Sequence, residues 1–487
     1  MEYASGPRRI VRTGFDRATA RPAPRPYNPP PMSGPAPTIR SHVTLGLCTV
    51  LHAFTHAYGT ILVPLYLLIV ADLKLGGVKA ASLVVTVYGF VYCLVSYVAG
   101  VLADRSDRRF LLGVGLLGNA AAITLMGVTR RYDLLLVLAV VAGLFGALFH
   151  PSANALVSAH YPRNPGMAIG LLAVGSGIGF FLGPQYAGWR AEAARWQLGG
   201  ATVAGWQRPL LEAGAAGLVF SILFLLVARE AERRTPAPHD GALAPESDNG
   251  NGRAPPVGLA QARAPKNRSR PLDPLLRRRL LGVSLTLMCR DFAGVASLTL
   301  ASIYLQKAHS LSTKHTGFIV GSMMLIGVIV NPLCVYLSPG KRRLPALAAV
   351  LAGAGVTVLA VPLVSVKWVL PLLCLFQACH LGSYAISEAA MLERVDPAVR
   401  GRVIGLFLSV AGTFASTAPW VMGYWTDALG EAAKRPLPYL WPFGLVGAFM
   451  LLATLSTPII ARLGEPTGQD PIRPMSEAMP GTLEPAG

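Results

Sequence analysis

Twelve long apolar runs are the feature that most limits what this chain can fold into. Each is about 20 residues or longer, the length that a helix needs to cross a hydrocarbon core roughly 30 Å thick. Only 14% of the 487 residues are charged, too few to give a soluble body of this size a polar surface. We therefore predict an all-α polytopic membrane protein with twelve transmembrane helices, not a soluble enzyme. The predicted spans are 43–70, 80–103, 110–128, 133–158, 167–189, 209–228, 280–305, 315–337, 344–365, 368–392, 403–427 and 436–463.

Polar segments divide the spans into two sets of six. The segment 230–279 begins with AERRTPAPHDGALAPESDNGNGRAPP, which has too few apolar residues to form a core and predicts a cytoplasmic linker. The N-terminal 1–42 is rich in Arg and Pro and predicts a disordered cytoplasmic arm. The predicted domains are then six-helix bundles over 43–229 and 280–463, followed by a cytoplasmic tail over 464–487.

The basic residues of the chain predict its orientation. The formal net charge of +19 would suggest nucleic-acid binding in a soluble protein. Here Lys and Arg concentrate in the arm, the linker and alternate loops, which places these segments in the cytoplasm by the positive-inside rule. The pair Arg130–Arg131 on the predicted outside is a mild exception. We predict a protein of the inner or plasma membrane that contacts lipid, with both termini cytoplasmic and no nucleic-acid partner.

Ionisable side chains away from the span ends occur only in the first, fourth, seventh and tenth spans. Such a group costs a few kcal/mol or more in the bilayer centre unless it faces water or the bundle interior. Nested three-helix repeats, with the first helix of each lining one central cavity, would explain the distribution. The predicted cavity and solute-binding residues are His52, His56, His150, Asn154, Arg290, Gln377, His380 and Tyr384.

Three of the ionisable residues are also predicted to couple transport to protons. His150, Asp291 and Glu388 can load and release protons, since buried carboxylates and histidines change charge near neutral pH. Arg290 is always charged and needs a carboxylate or an anionic ligand. A permanent ion pair and an anion-binding role both remain open for it, with Asp291 and Glu388 as candidate partners.

The loop after the second span carries a motif, Gly100-Val-Leu-Ala-Asp104-Arg105-Ser-Asp107-Arg108-Arg109. It resembles the signature of the major facilitator superfamily between its helices 2 and 3, G-x-L-a-D-r-x-G-r-k. The resemblance implies a latch that breaks and reforms as two bundles rock. Asp107 departs from the pattern, which prefers glycine there. The implied latch residues are Gly100, Asp104, Arg105, Arg108 and Arg109.

The fifth span resembles the antiporter motif of the same superfamily, G-x8-G-x3-G-P-x2-G. Gly170, Gly179, Gly183 and Pro184 match, and Ala187 replaces the last glycine. Glycines four apart let helix backbones approach closely, and proline kinks a helix. The resemblance implies a tight hinge that discourages ion leak, whereas ordinary glycine-rich packing is the alternative interpretation.

The superfamily resemblance covers about 43–463 and is nearest to the fosmidomycin-resistance type of efflux protein. This branch resemblance rests on Leu148-Phe149-His150-Pro151, on the glycine run of the fifth span, and on the arginine and Tyr304 of the seventh. It implies the major facilitator fold, two six-helix bundles working as a monomer by alternating access, and proton-coupled efflux of a small organic compound or drug. The alternative is a proton-coupled uptake symporter or uniporter for an organic anion or sugar.

Other function classes have little support in the sequence. HExxH, GxSxG and Walker-like loops are absent, so we predict that the protein is not an enzyme. The six cysteines form no CxxC pair and no His/Cys metal spacing surrounds them, so we predict no metal site and no cofactor. A receptor or scaffold would leave the latch and the hinge without a purpose.

Overall fold

A computed structural model of the protein describes residues 36–193, 196–198, 201–229, 274–395 and 409–464. The side chain of Asp104 lies outside this description, as do residues 230–273 and the first residues of the predicted eleventh span, 403–408. The described chain is almost entirely helical. Its main helices are α1 (Ile39–Thr60), α2 (Tyr66–Asp72), α3 (Val78–Arg105), α4 (Arg108–Met126), α5 (Tyr132–Gly146), α6 (Phe149–His160), α7 (Pro165–Ala191), α8 (Gln207–Val227), α9 (Pro274–Ala308), α10 (Thr313–Leu337), α11 (Arg343–Ala360), α12 (Val366–Arg394), α13 (Ala418–Ala428), α14 (Leu440–Ala453) and α15 (Ser456–Ala461).

These helices confirm the predicted multi-pass architecture. Eleven stretches of described helix are long and apolar enough to cross a membrane. Residues 409–415 with α13 supply part of the eleventh predicted span, which is not among these stretches. Large apolar side chains such as Leu94, Val219 and Tyr336 are exposed on the outer surface. In a membrane this surface faces lipid, so exposure carries no penalty there.

Short turns interrupt several of the described spans, and the breaks in the first and fourth spans have a local cause. Pro64 lies in a 3-10 turn, Val63–Leu65, which separates α1 from α2. The fourth span is interrupted by a turn at residues 147–148, and Pro151 follows in the first turn of α6, where a proline needs no backbone hydrogen bond. Discontinuous helices of this kind often lie beside binding sites in transporters.

Helix packing divides the described chain into two halves, α1–α8 and α9–α15. Within the first half α1 packs along α7 and α4 packs along α8, while in the second α12 packs against both α10 and α11. The halves meet mainly through α7 with α10 and through α3 with α13. Each contact joins the second membrane span of one half (α3 or α10) to the fifth span of the other half (α13 or α7). This is expected for two similar bundles that face each other.

The structure departs from the sequence predictions in two places. The seventh span begins at Pro274, six residues before the predicted start at 280, because a basic helical turn (Arg277, Arg278, Arg279) precedes the apolar run. Between α7 and α8, the strands Trp196–Leu198 and Ala201–Val203 form a short antiparallel hairpin. The hairpin is too short to change the all-helical class of the fold.

Candidate transport site

Three of the predicted site residues converge in the first half. The imidazole ring centroids of His52, His56 and His150 lie 4.8, 5.0 and 5.3 Å apart, close to an equilateral triangle. His52 and His56 share one face of α1 because they are four residues apart. His150 reaches them because the break in the fourth span starts α6 at Phe149, inside the bundle.

With neutral rings, two hydrogen bonds determine which nitrogens of His52 and His56 carry the protons. The carbonyl oxygen of Leu172 lies 2.7 Å from Nδ1 of His52, and a carbonyl only accepts, so Nδ1–H of His52 donates to it. Nε2 of His52 is then the nitrogen with a free lone pair. Nε2 of His56 lies 3.0 Å from it and donates the second hydrogen bond. The rings of Phe149 and Phe180 pack on His52 and His56 at centroid distances of 5.0 and 4.3 Å.

A cavity of about 210 Å³ adjoins the histidine cluster between the two halves. His56 and His150 line it, together with aromatic rings from α3 and α7 and residues of α9. Tyr88 and Tyr92 line the cavity from α3 and were not among the predicted residues. Their spacing of four residues on one helical face was the available signal, but aromatic residues in apolar spans are common. The cavity is therefore mainly apolar and aromatic, with imidazoles on one wall.

A second polar cluster lies in the other half, where α9 meets α12. Arg290 is fully buried, and its Nε donates to Oδ1 of Asp291 at 2.7 Å. Its Nη1 donates to the hydroxyl of Ser387 at 2.8 Å, and its guanidinium carbon lies 3.6 Å from the ring centroid of Tyr384. The ring of His380 completes the cluster, 5.2 Å from that of Tyr384. Ion pair, hydroxyl and aromatic face together satisfy a charge that could not otherwise stay in the membrane interior.

Six of the eight predicted cavity residues thus form two clusters, and the expectation that all eight line one cavity is not met in this conformation. Of the eight, His56 and His150 line the cavity. Asn154 is exposed, and the amide nitrogen of Gln377 lies 2.9 Å from the sulfur of Met324 in the packing of α12 on α10. Glu388 is also exposed, one turn beyond Tyr384 on α12. Helical periodicity identified the faces, but it could not say which faces meet.

The structure explains the departure in the latch motif. Asp107, which stands where the pattern prefers glycine, is the N-cap of α4, and its Oδ1 accepts from the backbone N–H of Phe110 at 2.8 Å. Arg109 donates to the carbonyl of Leu225 at 2.8 Å, at the end of α8. Arg105 is exposed, and Gly100 lies against Pro151 of α6. The role of Asp104 stays a prediction, since its side chain is outside the described part.

The glycine motif lies on the face of α7 that packs on α1. A Cβ added at Gly179 would overlap the carbonyl of Ala53, and one at Gly183 would overlap the backbone of Ala57. Gly175 makes the same approach to Thr49 and continues the four-residue repeat. Gly170, the first glycine of the motif, has open space around it. Pro184 is buried inside the same helix. Most of the motif therefore permits close packing within one half.

The halves are tied together where α3 and α10 begin. Both carboxylate oxygens of Asp427, at the end of α13, accept from the backbone N–H groups of Val78 and Lys79 at 2.9 Å. In the corresponding place, Oε1 of Glu192 after α7 accepts from the backbone N–H of Lys314 at 2.8 Å. Gly77 has a φ of 148°, and its missing Cβ leaves room for the Asp427 carboxylate. Each carboxylate thus meets the positive end of a helix from the other half.

Comparisons with known proteins agree with this architecture. The chain is 35% identical over 144 residues to "Multidrug resistance protein MdtG" of Dickeya zeae, which is 28% of this chain and 35% of that protein. It is 40% identical over 94 residues to the protein of that name from Salmonella arizonae, which is 19% of this chain and 23% of the relative. The alignments therefore span about a third or less of these curated relatives.

Solved structures share the fold at low sequence identity. A bacterial homolog of the human lysosomal transporter Spinster, in an inward-facing and occupied conformation, has a TM-score of 0.70 at 15% identity, covering 88% of this chain and 98% of that one. The nucleoside transporter NupG has a TM-score of 0.62 at 12% identity, covering 86% and 99%. The sequence profile of the Major Facilitator Superfamily matches residues 45–415. Since that match covers most of the chain, this multi-pass membrane protein belongs to the Major Facilitator Superfamily.

Proposed function

We propose that the protein is a secondary active transporter that exports a small organic compound by alternating access, in exchange for protons. The observation that carries this proposal is the cavity between the two halves, which has aromatic walls and the imidazoles of His56 and His150 beside it. Such a cavity suits an apolar or aromatic solute with one polar group. The multidrug resistance proteins that the chain resembles support export as the direction.

Asp291 is the proton site in this proposal. It lies in the membrane interior, mostly buried, with Arg290 as its ion-pair partner. Protonation would cancel its charge and break the pair, which changes how α9 and α12 are held together. In this proposal Glu388, which is exposed one turn from Tyr384 on α12, passes protons between water and this cluster. Proton loading and solute release would then be coupled through the packing of α9 against the cavity.

A transport assay with purified protein in liposomes tests the function. An imposed pH gradient should move a solute from a panel of organic compounds in the direction opposite to protons. Asp291→Asn should reduce the gradient-driven component at least about tenfold, since the variant cannot change charge. Asp133→Asn is the matched control, because Asp133 is an exposed carboxylate paired with Arg131 outside the cavity. Undiminished pH-driven transport in Asp291→Asn would remove this residue from the mechanism.

Proton-coupled uptake of an organic anion is the second candidate, and one observation favours it. If Asp291 takes a proton, the charge of Arg290 loses its partner and can attract an anion. Proton and anion would then bind together and travel in the same direction. The liposome assay separates the candidates. In symport the solute moves in the same direction as the protons, and in antiport it moves in the opposite direction. Transport by a uniporter does not depend on the pH gradient.

We further propose that the end closed by Asp427 and Glu192 faces outward, so that the structure represents an inward-facing state. Both carboxylates accept from helix N-termini of the opposite half, and each charge-assisted contact is worth about 1–2 kcal/mol. Asp427→Asn should therefore shift the equilibrium about tenfold towards an outward-open state. Distances between spin labels placed on the two bundles at this end would measure the shift.

The corresponding substitution at Glu192, the carboxylate that caps α10, provides an internal check. Glu192→Gln should produce a shift of similar direction, and the double variant should produce a larger one than either alone. Asp133→Asn should leave the label distances unchanged, since its partner Arg131 belongs to the same half. Unchanged distances in Asp427→Asn would show that these contacts do not hold the bundles together.

For the cellular setting we propose a monomer in the inner or plasma membrane with both termini in the cytoplasm. The cytoplasmic excess of Lys and Arg in the arm, linker and loops supports this orientation. The contacts of α7 with α10 and of α3 with α13 join two halves of a single chain, so one copy supplies both walls of the cavity.

A further inference from the structure

The histidine cluster has the composition of a metal site. Its three residues each offer one imidazole nitrogen, and these nitrogens all lie within 4.8 Å of one another. A tetrahedral ion with metal–nitrogen bonds of 2.0–2.1 Å would need nitrogens roughly 3.3 Å apart. The Nε2 atoms of His52 and His56 already lie 3.0 Å apart, so side-chain rotation of His150 is the main adjustment required.

One ring of the cluster, that of His52, is held by the kind of hydrogen bond that supports metal-ligating histidines. A ligating histidine usually donates its other N–H to a carbonyl or carboxylate, which orients the ring and increases its basicity. His52 does this through Nδ1–H to the carbonyl of Leu172. Phe149 and Phe180 hold the rings of His52 and His56 from the sides. A proton shift from Nε2 to Nδ1 of His56 would free the second lone pair.

The ligand set also selects the kind of ion. Neutral imidazoles suit Zn²⁺, Cu²⁺, Ni²⁺ and Co²⁺, whereas Mg²⁺ and Ca²⁺ require oxygen ligands, which this triad does not supply. Three protein ligands leave a tetrahedral ion one further position. His56 and His150 line the cavity, so a ligand from the cavity can reach that position.

We propose that His52, His56 and His150 bind one divalent transition-metal ion of the Zn²⁺ type, with its remaining coordination position facing the cavity. The inference deepens the proposed function and rests on it in one respect: solutes with oxygen or nitrogen donor atoms that share the ion would be the preferred substrate class. Metal binding itself requires no transport activity. The alternative is a purely structural role, in which the three rings only form a polar contact that joins α1 to α6.

The test is metal binding by the full-length protein in detergent, purified with a tag that contains no histidine and stripped of metal. Titration with Zn²⁺, monitored by calorimetry, should show that one ion binds per chain. Co²⁺ should give the visible ligand-field absorption of a tetrahedral complex. His150→Ala and His56→Gln should each weaken binding at least about a hundredfold. His315→Ala is the matched control, since His315 is exposed on α10 and hydrogen-bonded to Ser312.

A rescue variant separates ligation from folding. His150→Cys should keep the ion, since a thiolate is a good ligand for Zn²⁺, and should add a sulfur-to-cobalt absorption band. Absence of stoichiometric binding in the unaltered chain, or equal binding in His150→Ala and His315→Ala, would overturn the proposal. A chain that transports an organic solute without binding metal refutes this inference alone. A chain that binds one ion but moves nothing in liposomes refutes the proposed function alone.

Discussion

Arg290→Met is expected to abolish pH-driven transport, with a loss of at least about a hundredfold, and to destabilise the protein by about 3–5 kcal/mol. The physical reason is that Arg290 is fully buried and pairs with Asp291 at 2.7 Å. Removing one partner of a buried ion pair leaves the other charge without compensation, and that is the costly change. Transport in liposomes and thermal unfolding in detergent measure the two effects separately.

The double variant Arg290→Met/Asp291→Leu tells a functional pair from a structural one. Replacing both charges with apolar side chains of similar size is often neutral or stabilising, so much of the lost stability should return. Transport should remain absent, because the cluster would have neither a proton acceptor nor a fixed positive charge. If transport returned together with stability, the ion pair would serve only to hold α9 and α12, and our coupling proposal would be wrong.

The membrane fold could be predicted from the sequence because the bilayer imposes a simple rule. Every backbone group must be paired inside the hydrocarbon, so runs of apolar residues become helices whatever their neighbours are. The cost of burying charge similarly identifies Arg290 and Asp291 as interior groups from the sequence alone. Both predictions depend only on the local environment, which the sequence determines directly.

Predictions that depend on how helices meet were less complete. The four-residue spacing of His52 and His56 places them on one helical face, but their convergence with His150 depends on how α1 and α6 meet. The spacing of His and Cys along the chain therefore predicted no metal site, although the structure brings three histidines together. Likewise Asp107 was recognised as a departure from the latch pattern, and only the fold shows that it caps α4. Long-range contacts, unlike periodicity, are not contained in any short window of sequence.

The two interpretations of the glycine motif lead to the last prediction, which compares one methyl group at two positions of α7. Gly179→Ala places a Cβ on the carbonyl of Ala53, and neither backbone can move unless α1 and α7 separate. We expect the free energy of unfolding to fall by about 3 kcal/mol, which is the upper part of the range for overpacking, and the melting temperature to fall with it. Gly170→Ala is the matched control, since its Cβ meets nothing within 4 Å and alanine favours the helix.

A third variant tests the hinge interpretation of the motif. Gly317 of α10 lies against the carbonyl of Pro184 on α7. The Cβ added in Gly317→Ala would therefore overlap an atom of the other half, and not an atom of its own bundle. If α7 acts as a contact that opens and closes, this variant should favour the state in which the bundles separate at that end, with little change in melting temperature. If Gly179→Ala and Gly170→Ala melted alike, the motif would not serve packing. A methyl group that the two halves cannot accommodate must alter either their stability or their separation. If Gly317→Ala also left the distances between spin labels on the two bundles unchanged, α7 would not be a contact that opens and closes.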